Sequence, residues 1–207
     1  MKYYLSSFKI GNDIDKLKSL IPPNNKRCAY ISNALDMVDD QKWLAEFTGQ
    51  DVTDLTGVGL EVDRFDLRKY FDNQDQLSKD IQNYGVIWVS GGNVFVLRQA
   101  FRLSGFDTVL TNLAQADNIL YGGYSAGVCV LSPSLQGAEL VDKITYHPYG
   151  ADVPLVWEGL NLIPFAFAPH FKSDHPESAR VDQEVAYYEE HGIAYKALKD
   201  GEAIVIE

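Results

Sequence analysis

Cysteine is scarce in this 207-residue chain: there are two, Cys28 and Cys129, each inside an apolar run and neither at a paired-ligand spacing. That scarcity excludes a disulfide framework and a cysteine metal site, makes both thiols small buried hydrophobes, and points to a reducing cytoplasm. Long apolar runs are missing too. No stretch approaches the ~20 residues that cross a bilayer, and Met1-Lys2-Tyr3-Tyr4-Leu5 passes straight into a strand pattern. The expectation is a soluble, unexported protein with no membrane partner. Basic residues are outnumbered, 18 Lys and Arg against 29 Asp and Glu, and the net charge of −11 repels phosphate backbones. Nucleic acid therefore drops out as a partner. Histidine is rare enough to enumerate: an imidazole base has to be His147, His170, His175 or His191.

What the chain does have is an alternation of apolar runs with amphipathic stretches. Strands are expected at Met1 to Phe8, Arg27 to Ser32, Gly59 to Leu67 with period two, Gly85 to Ser90, Ile119 to Tyr121, Leu162 to Pro169 and Ile193 to Leu198. Helices are expected at Asp13 to Leu20, Leu77 to Tyr84, Val94 to Leu103, Phe106 to Ala116 and Ser178 to Glu190. Between Asp39 and Thr56 the residues Trp43, Leu44, Phe47, Val52 and Leu55 fall on one helical face, with a break near Gly49. Leu131 to Glu158 loses periodicity and reads as an irregular excursion with a short strand at Glu139 to Thr145. Without repeats, linkers or low-complexity tracts, residues 1–207 read as one α/β domain whose mostly parallel sheet carries helices on both faces.

Ligands of such sheets bind beyond the carboxyl ends of the strands. Two glycine turns lie there, Ser90-Gly91-Gly92-Asn93 and Gly122-Gly123-Tyr124-Ser125-Ala126-Gly127. Small neighbours let the second turn sharply from strand to helix and expose Ser125 as an acyl-enzyme nucleophile. A serine hydroxyl needs a base. His170, just after Ala168-Pro169 at the end of the apolar stretch that begins at Leu162, is the first candidate, and His175 on the following polar loop is a second base or a substrate contact. His147 reads as part of a turn and His191 as the close of a helix, where an imidazolium meets the negative end of the dipole. Asp200 is placed to orient the base, although Asp200-Gly201 between apolar runs also signals a hairpin. Asp142, Asp152, Asp174 and Glu177 compete for the same role. The group His170, Asp174, His175 lacks the helical His pair of metallohydrolases, so neither metal nor cofactor is expected.

With Gly91-Gly92-Asn93-Val94-Phe95-Val96-Leu97, the Ser125 turn and Pro169-His170-Phe171 in this order, the chain resembles the peptidase E family of serine-dependent aspartyl dipeptidases, relatives of the cyanophycinases. The resemblance implies a flavodoxin-like α/β fold akin to class I glutamine amidotransferases. It makes Ser125 the nucleophile, His170 the base and Asp200 the orienting acid, with oxyanion N–H groups at Gly92 and Ala126. Asn93, His175 and Arg180 become substrate contacts, and the partner is a small peptide, bound by a monomer or homodimer. The family's Thr-Asn-Asp segment is replaced by Gly137-Ala138-Glu139-Leu140-Val141-Asp142, and its Gly-Glu-Thr-Arg by Pro176-Glu177-Ser178-Ala179-Arg180. A shift of the Arg by one place rotates it ~100° on a helix, so a weakened or altered preference for Asp-Xaa dipeptides is expected. Two other readings share these residues: an α/β-hydrolase esterase, with Asp142 or Asp152 as the acid before His170, and a catalytically silent binding module.

Overall fold

The computed structural model describes residues 1–115 and 118–207. Its strands are β1 (Lys2–Ser6), β2 (Arg27–Ile31), β3 (Glu61–Arg64), β4 (Val86–Val89), β5 (Leu120–Tyr124), β6 (Ala166–Ala168), β7 (Tyr195–Ala197) and β8 (Ala203–Ile206). The helices are α1 (Ile14–Leu20), α2 (Gln41–Gly57), α3 (Gln74–Ile81), α4 (Val94–Ser104), α5 (Phe106–Leu113), α6 (Ala126–Cys129) and α7 (Ser178–Glu190). The end expected for α5, Ala116, lies outside the described residues.

Six strands form the main sheet in the order β3-β2-β4-β5-β1-β8, all parallel except β8, which runs antiparallel to β1. Counted from β2, the first four follow the 2-1-3-4 order of doubly wound sheets, and the N-terminal strand takes the fifth place. Side chains alternate between two cores. Tyr3, Leu5, Ala29, Ile31, Ile87 and Val89 pack on one face beneath α4 and α5, while Tyr4, Cys28, Tyr30, Val86 and Trp88 pack on the other against Leu17, Leu20 and Leu55 of α1 and α2. The free thiols Cys28 and Cys129 are buried in different cores. Among the described residues no helix is long and apolar enough to cross a membrane.

Register fixes what meets at the carboxyl edge. Ser6 pairs with Tyr124 and Val89 with Gly123, so the residues that follow β1, β4 and β5 emerge side by side. Ser6 also pairs with Ala203, which brings the turn before β8 to the same edge.

Four expectations are corrected. Asp200-Gly201 does not close a hairpin, because β7 pairs with β6 in a separate two-stranded sheet while β8 pairs with β1. His170 therefore follows a strand of that small sheet and not of the main one. Helix α2 runs unbroken through Gly49, since one glycine lowers helix propensity without ending a helix of 17 residues. Its apolar face is divided: Leu55 is buried and Phe47 and Val52 pack against the same core, while Trp43 is 42% exposed. Finally, Glu139 to Thr145 forms no strand; Ala138–Leu140 is a 3₁₀ turn, and a lone bridge between Ser134 and Glu158 ties the ends of the excursion.

Candidate active site

Ser125 is the hinge between β5 and α6, held at φ 50° and ψ −120°. A non-glycine residue pays in steric strain for such a backbone, and here the surroundings enforce it. A Cβ on Gly127 would lie 2.3 Å from the Val89 carbonyl oxygen, and one on Gly123 would lie 2.7 Å from the same atom. The two glycines thus let the turn settle on β4. Gly122 makes room for the Trp88 ring, which a Cβ would meet at 2.3 Å. The serine is largely buried, yet it lines a cleft and its hydroxyl makes no hydrogen bond with the described residues.

Across the cleft stands His170, buried and also at positive φ, 60°. Its Nδ1 lies 2.7 Å from Asp200 Oδ1, so the ring carries its proton toward the carboxylate and leaves Nε2 as the acceptor. Ser7, which no sequence pattern singled out, completes the support. Its hydroxyl accepts the His170 N–H at 2.8 Å and donates to Asp200 Oδ1 at 2.9 Å. The Asp200 N–H in turn donates to Ser173 Oγ at 2.8 Å. The one available signal for Ser7 was its position just past a buried parallel strand. His175 stacks on His170, with centroids 3.7 Å apart and planes at 7°, and Phe8 packs edge-on against both rings. Burial holds the His170 pKa below the usual imidazole value; positive charge on His175 pushes the same way, and Asp200 opposes.

Of the oxyanion candidates, Gly92 borders the same cleft as Ser125 and Ala126 directly follows the serine, and neither N–H has a hydrogen-bond partner among the described residues. Gly92 needs to be glycine: its φ is 139°, and a Cβ would fall 2.4 Å from the Ala34 carbonyl oxygen. Asn93 lines the cleft, but its amide is committed. Its oxygen caps α4 by accepting the Phe95 and Val96 N–H groups, and its nitrogen donates to the Lys143 carbonyl. Arg180 also lines the cleft, half-exposed, donating to the Val141 carbonyl at 3.0 Å and lying 3.7 Å from Glu177.

The other acids and histidines sort clearly. Asp142 does not reach His170; it accepts the Val94 N–H at 2.7 Å, and its enclosed carboxyl is pushed up to about 8 by burial, with Glu177 and Glu184 adding to the effect. His147 sits in an exposed turn, and His191 bonds the Tyr187 carbonyl at the end of α7. Among the described residues, His170, His175 and Glu177 bring ligand atoms within 4.8 Å of one another, and Asp174 is not of that group. The rings are parallel, so their lone pairs run side by side instead of converging on one ion.

The cleft measures about 340 Å³, within the range of small-molecule sites and suited to a dipeptide-sized ligand. The loops after β2 and β4 both border it, and these two strands are where the strand order reverses.

The profile described as peptidase family S51 matches residues 9–207. An uncharacterized peptidase of Listeria innocua is 29% identical over 119 residues, 58% of this chain and 54% of the relative. A peptidase E of Streptomyces coelicolor is 25% identical over 194 residues, 89% of this chain and 70% of the relative. The match thus spans about half the length of the Listeria protein. A crystal structure of a candidate peptidase E from Listeria monocytogenes superposes with a TM-score of 0.73 at 20% identity, covering 100% of this chain and 98% of the other. The shared architecture is flavodoxin-like, akin to class I glutamine amidotransferases.

Proposed function

The chain belongs to peptidase family S51, and on that basis we propose that it hydrolyses small peptides through an acyl-enzyme on Ser125. The supporting observation is the 2.7 Å contact between His170 Nδ1 and Asp200, in a cleft that His170 shares with an unbonded serine. In this reading His170 Nε2 takes the hydroxyl proton as Oγ attacks the carbonyl carbon, and the N–H groups of Gly92 and Ala126 receive the developing oxyanion. His170 then returns the proton to the leaving amine, and water repeats the sequence on the ester. The serine–histidine hydrogen bond forms as substrate seats, as is usual where it is absent from the free enzyme. Asp200 fixes the tautomer and stabilises the imidazolium. An esterase with Asp142 as acid has no such support, since Asp142 is bound to the Val94 N–H.

Asp-Xaa dipeptides are substrates in this reading, but with a weaker advantage than in the aspartyl dipeptidases. Arg180 spends a donor on Val141 and faces Glu177, and Asp142 adds a carboxyl to the same cleft. Two buried reduced thiols accord with work in the cytoplasm. Steady-state assays on Asp-Leu, Asn-Leu, Glu-Leu and Ala-Leu test both parts. Ser125→Ala should lower kcat by about 10⁴-fold or more with the fold unchanged. Residual activity near the parent's would sink the serine mechanism, and a hundredfold preference for Asp-Leu would refute the weakened specificity.

A further inference from the structure

Helix α2 carries an aromatic pair one turn apart, Trp43 and Phe47, that lines the cleft, with the buried Asp51 one turn further along. Trp43 is the most exposed large hydrophobic side chain among the described residues, and it stacks on Phe47 with centroids 4.7 Å apart and planes at 16°. Two aromatic rings on a water-facing wall are costly to leave uncovered. Their position relative to Ser125 is fixed from below. Asp51 accepts from Tyr124 at 2.8 Å, from Tyr30 at 2.6 Å and from the Lys9 ammonium at 2.6 Å. Tyr124 is the residue before the serine, so the helix that bears the aromatic pair is tied to the backbone that bears the nucleophile. Lys9 also lies 3.4 Å above the Phe47 ring, a cation–π contact that helps to hold the pair in place.

The cleft accordingly has two unlike walls. One runs Phe8, Phe47, Trp43; the other runs Asp142, Glu177, Arg180. Which part of a substrate meets which wall follows from the chemistry proposed for the site. The leaving amine has to receive its proton from His170, and the ring packed on His170 and on Tyr124 alike is Phe8, the near end of the aromatic wall. The acyl portion has to lie where its oxygen reaches Gly92 and Ala126. Beside Ser125 and Ala126 the space is a cavity of about 20 Å³, which Asp142 and Glu177 border together with Val94 and Val141, too small for a large side chain.

We propose that the Trp43–Phe47 wall is the subsite for the residue on the leaving-group side of the scissile bond, and that it selects an apolar side chain there. The inference rests on the serine-peptidase reading for the side of the bond it assigns. The test compares kcat/KM for Ala-Leu, Ala-Phe, Ala-Ser and Ala-Asp, and separately for Leu-Ala and Ser-Ala, in the parent, Trp43→Ala and Trp43→Phe. The expected result is that Trp43→Ala lowers the Ala-Leu to Ala-Ser ratio about tenfold, the scale of a lost apolar contact. Trp43→Phe should keep most of the ratio, and the Leu-Ala to Ser-Ala ratio should stay within about twofold. An unchanged Ala-Leu to Ala-Ser ratio, or a loss that follows the acyl residue, overturns the proposal. Calorimetry on Ser125→Ala with and without Trp43→Ala separates the two readings, because it needs no turnover. Tighter binding of Ala-Leu than Ala-Ser that disappears with Trp43 upholds the subsite even if Ser125 is not the nucleophile, and equal binding of the two peptides overturns it.

Discussion

The residues that matter most at the site sit where their own preferences are overruled. Ser125 and His170 are both at positive φ, and each is held there by neighbours that leave no alternative: the Val89 carbonyl under the serine turn, and the Ser7 hydroxyl on the histidine N–H. The histidine's environment sets a sign for the pH dependence. Burial and the neighbouring His175 hold the His170 pKa below its usual value, so the neutral base persists below pH 6.5 and is lost only as acid protonates it. The acid limb of kcat/KM should therefore have its midpoint below about 6.5. His175→Ala removes a positive charge that pushes the pKa down, so its limb should move to higher pH; Asp200→Asn removes a negative charge that pushes it up, so its limb should move lower while kcat falls by about 10³-fold or more. pH–rate profiles of the three proteins check these signs, and a shift of the His175→Ala limb toward acid would contradict this account of the His170 environment. Stability follows the same sign, since an imidazole whose pKa is lower folded than unfolded favours the unfolded chain increasingly as pH falls through 6.5.

Among the elements, the serine turn and helix α2 make opposite demands on glycine. On the turn, a methyl at Gly127 would be driven 2.3 Å from a backbone oxygen that cannot yield. Gly127→Ala should cost about 1–3 kcal/mol of stability and displace Ser125. In α2, a methyl at Gly49 would meet nothing within 4 Å, so Gly49→Ala should raise stability by about 0.5–1 kcal/mol through its better helix propensity. Urea unfolding of both variants checks the contrast; loss of stability at both positions would mean that α2 is packed at Gly49 after all. The break expected near Gly49 shows why sequence reading failed there. A glycine lowers helix propensity without ending a helix, and seventeen residues of α2 outweigh it. The apolar spacing of Trp43 and Phe47 was legible, but periodicity shows only that residues share a face. It does not show whether that face meets a core or a ligand. Glu139 to Thr145 failed for a related reason: its backbone groups are spent on a 3₁₀ turn, and Asp142 is spent on the first free N–H of α4.

For the whole molecule, the alternation of apolar runs made the parallel sheet legible, because buried strands of this class are apolar on both faces and the helices between them are not. Which strands pair was not legible. β6 and β7 read like the others but form their own sheet, and β8 reverses direction at the sheet edge. Only that pairing explains how Asp200, thirty residues after His170, reaches its ring from the turn before β8 while Ser7 arrives from the end of β1. The candidate site was therefore legible as residue types at strand ends, whereas its supports, Ser7 and Phe8, and its aromatic wall depend on long-range register. The most direct test of the central claim, that Ser125 is a nucleophile activated by His170, is to treat the protein with a fluorophosphonate and follow it by intact mass and peptide mapping. A single adduct on Ser125 in the parent, absent in Ser125→Ala and slowed at least a hundredfold in His170→Ala, is the predicted result. No adduct at Ser125, or labelling whose rate is indifferent to His170, would contradict it.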